Sequence, residues 1–138
     1  MIVYLDSSVV LRRLLGQPGA LDFWEAIERG VGSELVEVEC LRTLDRLRLA
    51  GSLAERTLIE LREAIFRLTA TLEVVSISRP ILSRAAQPMP TALATLDAIH
   101  LVTALAWQEN FETQLLMATH DQALAAASRA FGLRVLGT

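Results

Sequence analysis

Lysine is absent from the chain: all 13 of its basic residues are arginine. Cysteine is almost absent too, and the single Cys40 excludes an internal disulfide and a cysteine-rich zinc site. It reads as a buried thiol in a cytoplasmic protein. Aromatics make up only 5% of the residues, so the core must be aliphatic, built from Leu, Val, Ile and Ala. No apolar run is long enough for a secretory signal or a membrane span. The first one, Met1 to Leu5, is cut by Asp6 and soon followed by Arg12 and Arg13. Repeats, linkers and low-complexity segments are also missing.

What remains is a chain of 138 residues, the size of one domain, which buries roughly two thirds of its unfolded surface. Hydrophobic residues make up 52% of it, and the mean hydropathy of +0.39 is high for a small soluble domain. Such an excess implies that a partner covers some apolar surface. A net charge of −3 is not the footprint of a nucleic-acid binder. An average hides local patches, however. Arg12, Arg13, Arg42, Arg46 and Arg48 fall in two predicted helices near two of the acids, and arginine suits bidentate phosphate contacts. Base-composition bias and solvated helix faces account slightly better for any one of them.

The pattern along the chain alternates. Ile2 to Leu5 reads as a buried strand turning at Asp6-Ser7-Ser8 into a helix that stops at Gly16. After the Gln17-Pro18-Gly19 turn, Leu21, Trp24, Ile27 and Glu28 have helical spacing over Ala20 to Arg29. A very short strand at Val31 to Ser33 precedes helices over about Glu34 to Leu49 and Ala54 to Leu72. The second of these carries the stripe Leu58, Leu61, Ile65 and Leu68. Glu73 to Ile77 reads as strand, and Pro80 opens a short helix ending near Pro88. A helix over Thr95 to Glu109, a strand over Leu115 to Ala118, a helix over Asp121 to Phe131 stopped by Gly132 and a last strand over Leu133 to Leu136 complete the series. Strands alternating with helices predict right-handed crossovers and a three-layer α/β/α sandwich on four or five short parallel strands.

In such a sheet ligands bind beyond the carboxyl ends of the strands. Asp6 and Asp121 sit at two strand exits, although an aspartate there also caps a helix whatever the protein does. Glu39 lies in a stretch that is apolar on more than one side, so its carboxylate must be paired, exposed or bound to a metal. Arg42, three residues on, is an obvious ion-pair partner. Glu34 and Glu37 compete for the same role, and a one-turn error would pass it to one of them. Asp97 opens an otherwise apolar helix and shares a face with His100, Leu101 and Ala104. An isolated histidine is more often structural than a ligand, and His100 suits orienting an acid or a water.

The acids say more together. The chain has only five aspartates, and three of them aim at one edge of the predicted sheet. Carboxylates about 5 Å apart repel by roughly 3 kcal/mol per pair at an effective dielectric of about 20. Protons or cations must neutralise such a cluster. Hard oxygen ligands without an accompanying cysteine or histidine set select Mg²⁺ or Mn²⁺ over zinc.

Four pieces resemble one known family, the PIN-domain nucleases, and in particular the VapC-type toxins of bacterial toxin-antitoxin pairs. They are Tyr4-Leu5-Asp6-Ser7-Ser8, the segment Ser33 to Arg42, Thr95-Leu96-Asp97-Ala98-Ile99-His100-Leu101 and Thr119-His120-Asp121. The third is the most specific. The resemblance spans the whole chain and implies one PIN-like nuclease domain over residues 1–138. Asp6, Glu39, Asp97 and Asp121 would match the family's acidic quartet, as catalytic and metal-binding residues, with Ser8 and Thr119 at its polar supporting positions. Further implications are hydrolysis of RNA with Mg²⁺ or Mn²⁺, a homodimer and a cognate antitoxin.

Rivals fare worse. A receiver domain needs a lysine beside its phosphoryl group, and an aspartyl phosphatase needs a second acid two residues after Asp6, where Ser8 stands. A catalytically weak PIN-like module that binds RNA or protein is the alternative reading. Phe23, Trp24, Leu47 and Leu49 would form the partner face, or else complete the core.

Overall fold

A computed structural model describes residues 1–20 and 22–138. Five strands form one all-parallel sheet: β1 (Ile2–Leu5), β2 (Arg29–Ser33), β3 (Glu73–Val75), β4 (Leu116–Ala118) and β5 (Arg134–Leu136). Their order across the sheet is β3-β2-β1-β4-β5. The chain therefore works outward from the central β1 to one edge, then returns to β1's other side and works outward again. The reversal falls between β1 and β4. In an open parallel sheet the loops diverge at such a point and leave a crevice for a ligand.

Six α-helices supply the crossovers: α1 (Ser7–Leu14), α2 (Leu35–Leu49), α3 (Glu55–Thr69), α4 (Arg79–Ala85), α5 (Thr95–Phe111) and α6 (Gln122–Ala130). Side chains of β1 alternate between two cores, as the period of a strand requires. Val3 and Leu5 pack with Val9, Val10, Val36, Cys40, Leu44 and Ile65 under α1, α2 and α3. Tyr4 goes the other way, among Leu101, Ala104, Met117 and Leu124 under α5 and α6. The stripe expected on α3 is present: Ile65 is buried, with Leu58, Leu61 and Leu68 packed around it. Helix α5 is buried on every side from Ala98 to Leu105, so His100 and Thr103 are conspicuous as the polar residues of that stretch, which Asp97 directly precedes.

One expected element is replaced. The helix read over Ala20 to Arg29 is reduced to a 3₁₀ turn, Trp24–Ala26, and Leu21 lies outside the described residues. Pairing explains the change. Arg29 and Gly30 already lie beside Ile2 and Val3, so β2 begins two residues earlier than expected and leaves no room for helical turns. The chain's terminal amine reinforces that path by donating to the Ala26 carbonyl and to Glu28. Gly16 stops α1 at φ +62°, the left-handed conformation its sequence position suggests.

Candidate active site at the carboxyl ends of the strands

Strand register brings the exits of β1 and β4 side by side, because Leu5 pairs with Ala118. Asp6 then leaves β1 as the N-cap of α1, and Thr119-His120-Asp121 leaves β4 with Asp121 as the N-cap of α6. Two hydroxyls tie these exits together. Thr119 Oγ1 donates to Asp6 Oδ2 at 2.9 Å and accepts from the Asp121 backbone N–H at 3.0 Å. Ser8 Oγ donates to the same Asp6 oxygen and accepts from the His120 N–H at 3.0 Å. Both hydroxyl donors fall on Oδ2. Asp6, only 4% exposed, is thereby locked in one orientation. Asp121 is held by its own capping bond, Oδ1 accepting from Leu124 N–H at 2.8 Å.

The helices deliver two further acids to this pole. Glu39 projects from the second turn of α2, half-buried, and accepts a 2.6 Å hydrogen bond from His100 Nε2. The same nitrogen lies 3.7 Å from Asp6 Oδ1, beyond hydrogen-bond reach. Burial alone would lower the His100 pKa. The Glu39 hydrogen bond and the nearby Asp6 charge outweigh it and hold the imidazole above its ordinary value. Asp97, in the first turn of α5, is pushed up to about 6, first by burial and then by the charges of Asp121, Asp6 and Glu39. That shift records electrostatic proximity: the charges of the other three acids reach Asp97.

Of the three middle-segment glutamates, Glu39 is the one that turns to this pole. Glu34 instead accepts from the Ile77 N–H beyond β3, and Glu37 from the Thr69 hydroxyl on α3. The expected Glu39–Arg42 ion pair does not form. Arg42 pairs with Asp45 at 2.9 Å, as does Arg48 at 2.8 Å, because Asp45 lies three residues from each on the outward side of α2. Arg42 and Arg46 nonetheless flank Glu39, lining with Ser7, Val38 and Leu96 an open groove of about 380 Å³.

Tyr4 was missed by the sequence reading. Its hydroxyl sits 2.8 Å from His100 Nδ1, both side chains being fully buried. The signal was present in the alternation of β1, since Tyr4 stands two residues before Asp6 on the same side of the strand. Cys40, next to Glu39, faces the opposite core, where burial pushes its thiol up to about 12. At the pole's far side the backbone closes in: a Cβ on Gly137, at φ +99°, would lie 2.6 Å from the Thr119 carbonyl.

Among the described residues no three His, Cys, Asp or Glu side chains are drawn close enough to grip one ion as they stand. The donor set itself is hard oxygen from Asp6, Glu39, Asp97 and Asp121, matched to Mg²⁺ or Mn²⁺. No helix among the described residues is long and apolar enough to cross a membrane.

The PIN-domain family model matches residues 3–130. The ribonuclease VapC46 of Mycobacterium tuberculosis (strain ATCC 25618 / H37Rv) is 28% identical over 143 aligned positions, covering 97% of this chain and 95% of that protein. The solved structure of FitAB bound to an IR36 DNA fragment superposes with a TM-score of 0.75 at 17% identity, over 98% of this chain and 94% of that one. At that identity the likeness speaks for the fold.

Proposed function

This chain belongs to the PIN-domain family, and we propose that residues 1–138 form one nuclease domain, a Mg²⁺- or Mn²⁺-dependent endoribonuclease acting as the toxin of a toxin-antitoxin pair. The observation that carries the proposal is the gathering of Asp6, Glu39, Asp97 and Asp121 at the point where the strand order reverses, with Asp97 pushed up to about 6 by burial and by the other three. The ribonuclease name of the 28% identical relative supports RNA as the substrate.

Asp6 and Asp97 are the direct ligands in this reading. Asp6 is oriented in advance, because Ser8 and Thr119 hold its Oδ2 and leave Oδ1 to the ion. Asp97 is set in the first turn of the buried helix α5, and with a pKa of about 6 it is mostly carboxylate near neutral pH. Glu39 and Asp121 act through water, or one of them orients the nucleophile. A bound divalent ion would lower the pKa of the attacking water and offset the charge that develops on the phosphate oxygens during in-line displacement. Arg42 and Arg46, at the groove beside Glu39, offer the phosphate backbone bidentate partners that the acids cannot.

The toxin role brings a cognate antitoxin and a homodimer with it. Phe23, Trp24 and Leu47 are half-buried and Leu49 is 69% exposed, so the apolar face foreseen for a partner is partly open. The alternative, a catalytically weak module that binds RNA or protein, draws on the engagement of Glu39 by His100. Thermal stabilisation by Mn²⁺ separates the two, because a cation site predicts it by linkage and a plain binding module does not. The direct test sequences RNA ends produced by pure wild type and by Asp6→Asn; undiminished metal-dependent cleavage by the mutant would refute the assignment.

A further inference from the structure

We propose that Tyr4 and His100 form a buried brace fixing the carboxylate of Glu39, which makes Tyr4 a positioning residue of the nuclease site. The brace rests on the nuclease reading of the acidic pole. Three elements meet in it: β1 through Tyr4, α5 through His100 and α2 through Glu39. The links are 2.8 Å from the Tyr4 hydroxyl to His100 Nδ1 and 2.6 Å from His100 Nε2 to Glu39 Oε1. The two rings meet edge to face, centroids 5.9 Å apart and planes at 75°, so the imidazole is fixed in rotation as well as in position.

The chemistry gives the brace a direction. A carboxylate only accepts, so Nε2 carries the hydrogen that faces Glu39. The partner of Nδ1 decides whether that arrangement persists, as the far hydrogen bond of a histidine commonly does. Tyr4 supplies that partner from the central strand, where it is fully buried. Glu39 needs the help more than its neighbours do. Asp6 and Asp121 are short and held by backbone caps, whereas Glu39 is longer and projects half-buried from the middle of a helix face. Freed, its carboxylate would sample several rotamers, and ion binding would have to order it again.

A satisfied core pair would explain the same two hydrogen bonds, so the test must detect transmission from Tyr4 to Glu39, which do not touch. Wild type, Tyr4→Phe, Glu39→Gln and the double mutant are compared in two measurements. One is the Mn²⁺ concentration giving half of the full shift in melting temperature; the other is that giving half-maximal RNA cleavage. The brace predicts that Tyr4→Phe raises both by about 10-fold, keeps cleavage at saturating Mn²⁺ within about 3-fold, and adds nothing in the Glu39→Gln background. Should Tyr4→Phe fail to fold, His100→Gln, whose amide can still donate to Glu39, is set against His100→Leu. Retention of Mn²⁺ affinity by the first alone supports the brace, and equal loss by both overturns it. Unchanged Mn²⁺ dependence in Tyr4→Phe, or effects that multiply with Glu39→Gln, also overturns it while leaving the nuclease reading intact. A wild type without any response to Mn²⁺ removes both.

Discussion

The acidic pole has two unlike halves. Asp6 and Asp121 stand at strand exits, where each caps a helix and two hydroxyls cross-link them into one unit. Glu39 and Asp97 ride on helices, the first held by a single imidazole and the second raised by burial and the charges around it. The difference is between acids cross-linked at strand exits and acids carried on helix faces.

The strongest way to break the comparison is to remove a charge from the cross-linked half. Asp6→Asn keeps a capping oxygen and should fold, yet should lose about 10³-fold in Mn²⁺-dependent RNA cleavage, about 4 kcal/mol of barrier. A loss below about 10-fold in a steady-state assay would place the chemistry elsewhere. Next comes the cross-link itself. Thr119→Val keeps the shape but strands the Asp121 N–H and removes a donor from Asp6, so urea denaturation should show a destabilisation of about 3 kcal/mol. A value under about 0.5 kcal/mol would mean that the cross-linked half is no more fastened than the other.

The helix-borne half is tested by pH without metal. Asp97 is raised above its unfolded value, and so is His100, so the folded chain holds more protons than the unfolded one across the window beginning near pH 4 for Asp97. Stability should therefore fall as pH rises through about 6 for Asp97 and onward through the raised imidazole value. Asp97→Asn should flatten the lower part of that slope and raise metal-free stability at pH 7 by about 1 kcal/mol, allowing for the screening of a half-buried group. Thermal scans in chelator check it, and a slope of opposite sign would contradict the crowding of charge at this pole. The smallest effect is expected from Glu37→Gln. Its carboxylate serves Thr69 rather than the pole, so cleavage should stay within about 2-fold of wild type.

Much of this was legible in the sequence because short-range signals and the long-range fold agree. Four apolar residues ending at an aspartate make a buried strand and its capped helix at once, and the largely apolar sequence of α5 reads as an inner helix. The helix expected over Ala20 to Arg29 failed where tertiary pairing overrode a local period: Arg29 was already committed to Ile2. The Glu39–Arg42 pair failed for a related reason. Spacing along a helix says which side chains can meet, and competition from Asp45 decided which did. The alternation of β1 put Tyr4 on the side of Asp6, but its partner His100 lies 96 residues away, a distance that no local pattern encodes.

Cys40 gives the chain a built-in clock. Its thiol is fully buried and pushed up to about 12, so almost none is thiolate near neutral pH and alkylating reagents cannot reach it in the folded state. As the chain's sole thiol, on the helix that carries Glu39, it can react when α2 lifts from the sheet. The rate of labelling thus times the opening of the helix that bears Glu39, without any probe added to the protein.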